Sequence, residues 1–137
     1  MSRTRTFVDA GLLIAAARGK DDVAGHAMGV LDDPDREFVS SDFVRLEVVP
    51  KPAFHKQHEE LSFYEAFFAA VVEMVHSSHG LVASAEAEAC RWGLSAIDAL
   101  HVIAASEGRA DELVTTEGRG KPLLRTTSVR VKTIRPL

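Results

Sequence analysis

The chain has 137 residues, of which 46% are hydrophobic and 26% charged, with a single cysteine. That is the size of one domain with enough apolar side chains to bury its own core, which excludes a disordered chain, a collagen and a disulfide-stapled scaffold. Lys and Arg number 16 against 20 Asp and Glu, a formal net charge of -4, whereas a protein that coats nucleic acid unspecifically is strongly basic.

Thr6-Phe7-Val8-Asp9 is a short apolar run ending in an acid, and Ala10 to Ala17 behind it is rich in helix formers without strand alternation. This predicts a buried strand feeding a helix that stops at Gly19. Asp21-Asp22 start a second helix, running to about Leu31, where they favour the helix dipole. After the turn cluster Asp32-Asp33-Pro34-Asp35, Glu37 to Ser40 reads as a second strand. Ser41 or Asp42 caps a helix carrying Glu47, which Pro50 and Pro52 disturb.

From Leu61 to His76 the apolar positions Leu61, Tyr64, Phe67, Phe68, Val71, Val72 and Val75 recur at three and four, which predicts one amphipathic helix. Leu81-Val82-Ala83 then reads as a weak third strand, Ser84 as the cap of an Ala- and Glu-rich helix, and Gly93 as its stop. Ser95 caps a further helix, Ala96 to about Glu107, that is apolar almost all round and ends at Gly108. Leu113 to Thr116 predicts a fourth strand, and Val129 to Ile134 alternates apolar and basic residues as an edge strand does. Strands alternating with helices imply a single α/β domain over residues 1–137 with a mainly parallel sheet. The N-terminus has no apolar run of signal-peptide length, and the longest apolar stretch, Phe67 to Val72, is too short to cross a bilayer, so a cytoplasmic protein is expected.

In open parallel sheets the functional crevice lies outside the carboxyl ends of the strands. Four acids are candidates for that edge: Asp9 after the first strand, Glu117 after the fourth, Glu47 on the helix after the second, and Asp98 one turn into the apolar helix. Carboxylates gathered there repel one another unless a cation joins them. Magnesium accepts a few carboxylates and waters and leaves positions for phosphate oxygens, which suits phosphodiester hydrolysis. Each acid also has a plainer reading: Asp9 as a helix cap, Glu47 as a solvent-facing helix residue, Asp98 as an acid answering the helix dipole, Glu117 as a loop acid.

Phe7-Val8-Asp9-Ala10 with its helix, the stretch Ser41 to Val48, and Ile97 to Ser106 running on through Ala110 to Glu117 resemble PIN-domain nucleases, especially the VapC-like toxins of toxin–antitoxin pairs. The resemblance covers nearly the whole chain. It implies a three-layer α/β/α sandwich, a quartet of acids binding Mg2+ or Mn2+, metal-dependent endoribonuclease activity on an RNA substrate, a homodimer, and an antitoxin protein as partner. Asp9, Glu47 and Asp98 fall on the family's first three acidic positions and Glu117 on the fourth, where the family usually has Asp. Thr115 matches a hydroxyl residue two before that fourth acid, able to hold a carboxylate or a water; a β-branched strand residue is its other reading.

His101, three residues beyond Asp98 on the same helical face, is the one histidine placed to touch the acids, as a supporting donor. His55 and His58 read as solvated surface, and His76 and His79 as answering the dipole at a helix end. Cys90 is expected to be buried, and Trp92 to belong to the core or a dimer contact. Residues 118–137 carry six bases and no acid, against 10 bases and 20 acids in residues 1–117. Arg119 and Lys121 in that basic segment are candidate RNA contacts. A binding module that holds RNA or protein without cleaving is the rival reading. A nucleotide-binding α/β protein is disfavoured because Asp9-Ala10-Gly11-Leu12-Leu13 holds one glycine rather than a phosphate loop.

Overall fold

The computed structural model describes residues 2–136. Five strands, β1 (Thr4–Val8), β2 (Arg36–Ser41), β3 (Glu73–Val75), β4 (Glu112–Thr115) and β5 (Val131–Thr133), form one sheet in the order β3-β2-β1-β4-β5. Every neighbouring pair is parallel. The helices between them are α1 (Ala10–Arg18), α2 (Asp22–Leu31), α3 (Asp42–Val48), α4 (Pro50–Phe54), α5 (His58–Ala70), α6 (His79–Trp92) and α7 (Ala96–Glu107).

The order of the strands dictates the layers. From β1 to β2 to β3 the chain moves one way across the sheet; from β3 it returns past β1 to β4 and β5. Right-handed crossovers then put α1 to α5 on one face and α6 and α7 on the other. The packing agrees: α1 lies against α2, α3 and α5, while α6 lies against α7. Both faces being covered, Phe7, Val8, Val39, Leu113 and Val114 are buried, which accounts for strands that read as unbroken apolar runs.

Side-chain caps hold the helices, at Ser78 where the sequence suggests Ser84 and elsewhere where it places them. Ser41, Ser78 and Ser95 each accept the amide of the residue three further on with a side-chain oxygen, and Asp9 and Asp21 do the same for α1 and α2. Gly93 ends α6 in the left-handed region, φ 69°, where only glycine is unstrained.

The segment from Leu61 to His76 is not one helix. The chain turns extended at Val71, and Val72 donates its amide to the Phe38 carbonyl as Glu73–Val75 joins the edge of β2. The β-branched residues Val71, Val72 and Val75 satisfy a helical spacing on paper, but unpaired strand groups on β2 offered them a ladder. The third strand therefore lies at 73–75, and Leu81 to Ala83 belongs to α6, whose cap is Ser78 rather than Ser84. His79 consequently opens a helix instead of closing one, so it does not answer a C-terminal dipole; His76 Nδ1 pairs with Asp42 Oδ1 at 3.0 Å. Cys90 is exposed, because Leu81, Ala85 and Glu88 define the inward face of α6 and Cys90 lies off it. Trp92 packs half-buried against the core, and His55 and His58 are exposed.

Candidate active site

All five strands run the same way, so their carboxyl ends share one edge. β1 and β4 are neighbours there, yet their onward crossovers run to opposite faces, which is the switch point where such sheets open a crevice. A cleft of about 330 Å³ lies at this point, lined by Asp9, Gly11, Ile14, Glu47, Ser95, Ile97, Asp98, His101, Thr116 and Glu117 among others. The four acids named from the sequence thus line a single cleft.

The parallel register Val8↔Val114 sets Asp9 beside Thr115. Asp9 is 7% exposed, and both of its carboxylate oxygens have donors: Oδ1 accepts the Leu12 amide at 3.0 Å and Oδ2 the Thr115 hydroxyl at 2.5 Å. Asp9 is therefore helix cap and cleft acid at once. Burial pushes its carboxyl above the usual range, with the Thr115 and Leu12 donors pulling it back and Asp98 adding a smaller push upward. The Thr115 hydroxyl also accepts the Glu117 amide at 3.0 Å, so one side chain ties Asp9 to the start of the loop that bears Glu117.

α3 packs against both α1 and α7, which brings Glu47 across to His101. His101 Nε2 lies 2.6 Å from Glu47 Oε1; since a carboxylate only accepts, Nε2 carries the proton. The ring is 3% exposed, tilted against Phe7 at 5.8 Å, and its Nδ1 is buried with no hydrogen-bond partner among the described residues. Asp98 lies in the first turn of α7, where its amide donates to the Ser95 hydroxyl oxygen at 3.2 Å. Burial, then Glu117, and less strongly Glu47, push the Asp98 carboxyl upward, while His101 pulls it down. Asp98 thus feels the charge of both Glu117 and Glu47.

These are hard oxygen donors in mutual repulsion, a set whose chemistry fits a divalent cation. Their present geometry is looser than a finished site: among the described residues no three His, Cys, Asp or Glu side chains stand as a ready ligand set. Two of the acids are instead satisfied by Thr115 and His101, and each engaged carboxylate oxygen keeps a second lone pair.

Arg119 and Lys121 are exposed on the turn after β4 and do not line this cleft. Sequence reasoning missed Arg18 and Arg135, which line the adjoining cavity. Arg18 closes a helix and Arg135 follows an edge strand, and no local pattern distinguishes either from an ordinary surface cation.

No protein-family model and no curated protein sequence matches the chain. Solved structures do resemble it. A chain of VapBC2 from Rickettsia felis, in a structure bound to a DNA fragment from its promoter, superposes with a TM-score of 0.72 at 14% identity, covering 96% of this chain and 100% of that one. A toxin–antitoxin complex from Klebsiella pneumoniae gives 0.67 at 18% identity, covering 90% and 94%. VapC20 from Mycobacterium tuberculosis, a sarcin-ricin loop cleaving toxin, gives 0.66 at 18% identity, covering 91% and 98%. The chain has the PIN-like α/β fold of these structures.

Proposed function

We propose that the protein is a metal-dependent endoribonuclease of the VapC-like toxin kind, hydrolysing RNA phosphodiester bonds at the cleft between β1 and β4. The observation that carries the reading is the convergence of Asp9, Glu47, Asp98 and Glu117, from four separate parts of the chain, on one cleft at the sheet's switch point. The PIN-like fold supports it.

Asp9, Glu47, Asp98 and Glu117 are the residues that would hold Mg2+ or Mn2+. When bound, such an ion lowers the pKa of a water and stabilises charge on a phosphate and its leaving oxygen. The protein's part is to keep oxygens aimed at one place. Thr115 fixes Asp9 from behind, and His101 fixes Glu47 from the core side. Glu117 stands where the family has Asp, and its extra methylene gives that carboxylate a longer reach.

An antitoxin partner and a homodimer belong to the same reading. The first is supported by the fold's likeness to chains from toxin–antitoxin complexes, and the second is tested by light scattering. Among the described residues no helix is long and apolar enough to cross a membrane; action on RNA in the cytoplasm is part of the same proposal.

Purified protein with magnesium or manganese should cut single-stranded or structured RNA, and Asp9→Asn should abolish the cut. If both proteins leave RNA intact, the nuclease reading fails. A non-cleaving RNA- or protein-binding module is the second reading, favoured by Glu117 standing where the family usually has Asp. Calorimetry separates the two: undetectable binding at millimolar magnesium supports the module.

A further inference from the structure

The acid cleft does not end at its acids. A second cavity, of about 360 Å³, shares Gly11, Ile14 and Thr116 with it and continues along α1 to Ala15, Arg18, Gly19, Asp21, Val23 and Arg135. The shared wall is kept low by a glycine: a Cβ at Gly11 would stand 2.8 Å from the Thr116 Oγ1 and 3.6 Å from Asp9 Oδ1. The two cavities are one groove with two electrostatic characters.

The far part is cationic. Arg135 reaches it from beyond β5, its Nε donating to the Thr116 carbonyl at 2.5 Å. That bond uses one of five guanidinium N–H groups, and among the described residues no carboxylate pairs with Arg135. Arg18 stands at the end of α1, its Nε 3.4 Å from Glu60 Oε1 with the side chain 57% exposed. Glu60 also accepts the Tyr64 hydroxyl at 2.6 Å, so its charge is divided between two donors. Asp21 is the one acid lining this part, and its Oδ1 is committed to the Ala24 amide at the start of α2.

From Gly11 to Arg18 is seven residues of helix, about 10 Å along its axis. Arg18 at that remove faces a neighbouring phosphate of the strand rather than the one held by the acids, and Arg135 lines the same cavity from the Thr116 side. We propose that Arg18 and Arg135 form a phosphate-anchoring subsite that holds the RNA backbone beside the scissile bond. Anchoring there sets which stretch of strand crosses the acids, and supplies attraction that an acidic cleft lacks. The inference rests on the reading of the cleft as an RNA site, and it adds basic contacts nearer the acids than Arg119 and Lys121, which lie outside the cleft lining.

The test compares the wild type, Arg18→Ala, Arg135→Ala, the double variant and Arg109→Ala, a control at the opposite end of the sheet. Cleavage of a 12-nucleotide single-stranded RNA is followed in magnesium or manganese, and fluorescence anisotropy of the same RNA is read in EDTA over a salt series. The double variant should raise KM at least tenfold with kcat retained. It should also weaken binding and flatten the dependence of log affinity on log salt by about 0.7, the contribution of one phosphate no longer neutralised on a single strand. Arg109→Ala should match the wild type. Cleavage with no change in KM or salt slope in the double variant overturns the subsite and leaves the nuclease reading standing. Arginine-dependent binding without cleavage overturns the nuclease reading and leaves the subsite; neither cleavage nor binding overturns both. Should Arg135→Ala lower the melting temperature by releasing the Thr116 carbonyl, Arg18→Ala and Arg135→Lys carry the comparison.

Discussion

His101 Nε2 lies 2.6 Å from Glu47 Oε1, joining the buried middle of α7 to the exposed rim of α3. The histidine is fixed by burial and by Phe7; the glutamate, with a side chain 37% exposed, is fixed by the histidine. Supporting contacts of this kind typically change metal affinity by about 10–100-fold when removed. His101→Ala should therefore weaken manganese binding by about that factor in a calorimetric titration. His101→Gln, which can still offer a donor to Glu47, should recover part of it; equal affinity for all three proteins would deny His101 this role.

Asp98 supplies a pH prediction. Burial, Glu117 and Glu47 raise its carboxyl above the ordinary value of 3.8, so between that value and the raised one the folded state binds more protons than the unfolded state. Stability then falls as pH rises through this window, and the loss persists at neutral pH. Asp98→Asn removes the penalty. Its melting temperature at pH 7 should exceed the wild type's, and the difference should shrink as pH falls below the ordinary carboxylate value, where both states are protonated. Glu117→Gln should move the Asp98 titration downward in NMR spectra.

A divalent cation that joins the acids stabilises only the folded chain. Magnesium or manganese at 100 times its dissociation constant should add about 2.7 kcal/mol, seen as a rise in melting temperature that EDTA reverses. The rise should be lost in Asp9→Asn.

Thr115 serves two neighbours with one hydroxyl, donating to Asp9 Oδ2 and accepting the Glu117 amide. Thr115→Val keeps the strand shape and removes both bonds. A buried carboxylate left with one donor fewer costs about 1–3 kcal/mol, so denaturant unfolding should show a loss in that range. Thr115→Ser should restore most of it.

Glu112 is buried at the opposite edge of the sheet, bonded to Thr6 at 2.7 Å and Arg36 at 2.9 Å, with Lys132 at 3.5 Å. Burial opposes its charge, but these donors together hold its carboxyl below the ordinary value. The stability it lends is present above the unfolded pKa and is lost as pH falls through the lowered one. Glu112→Ala removes one of the two carboxylates paired with Arg36, Asp33 remaining at 3.0 Å, and leaves the buried Thr6 hydroxyl without its acceptor, at a cost of about 1–3 kcal/mol. Chemical denaturation should show that loss, with RNA cleavage per folded molecule unchanged.

The amino-acid sequence by itself determined what depends on neighbours along the chain. Caps at Asp9, Asp21, Ser41 and Ser95 and stops at Gly19, Gly93 and Gly108 are local chemistry, and each stands where its residue type demands. Asp9 and Glu117 could be named because each falls just past a strand, and parallel strands deliver such positions to a common edge; Glu47 could be named from the helix after a strand and Asp98 as an acid interrupting an apolar helix.

Tertiary structure decided the rest. Val71, Val72 and Val75 fit a helix or a strand equally in sequence, and only the open edge of β2 turned them into β3. The stretch at 81–83 then fell to a helix capped by Ser78. Glu47 could not be told from a solvent-facing residue until α3 lay against α7 and met His101. Arg18 and Arg135, 117 positions apart, share a groove through the path of the chain after β5. Pairing across a sheet and charge across a cleft join residues far apart in sequence, and no local pattern encodes them.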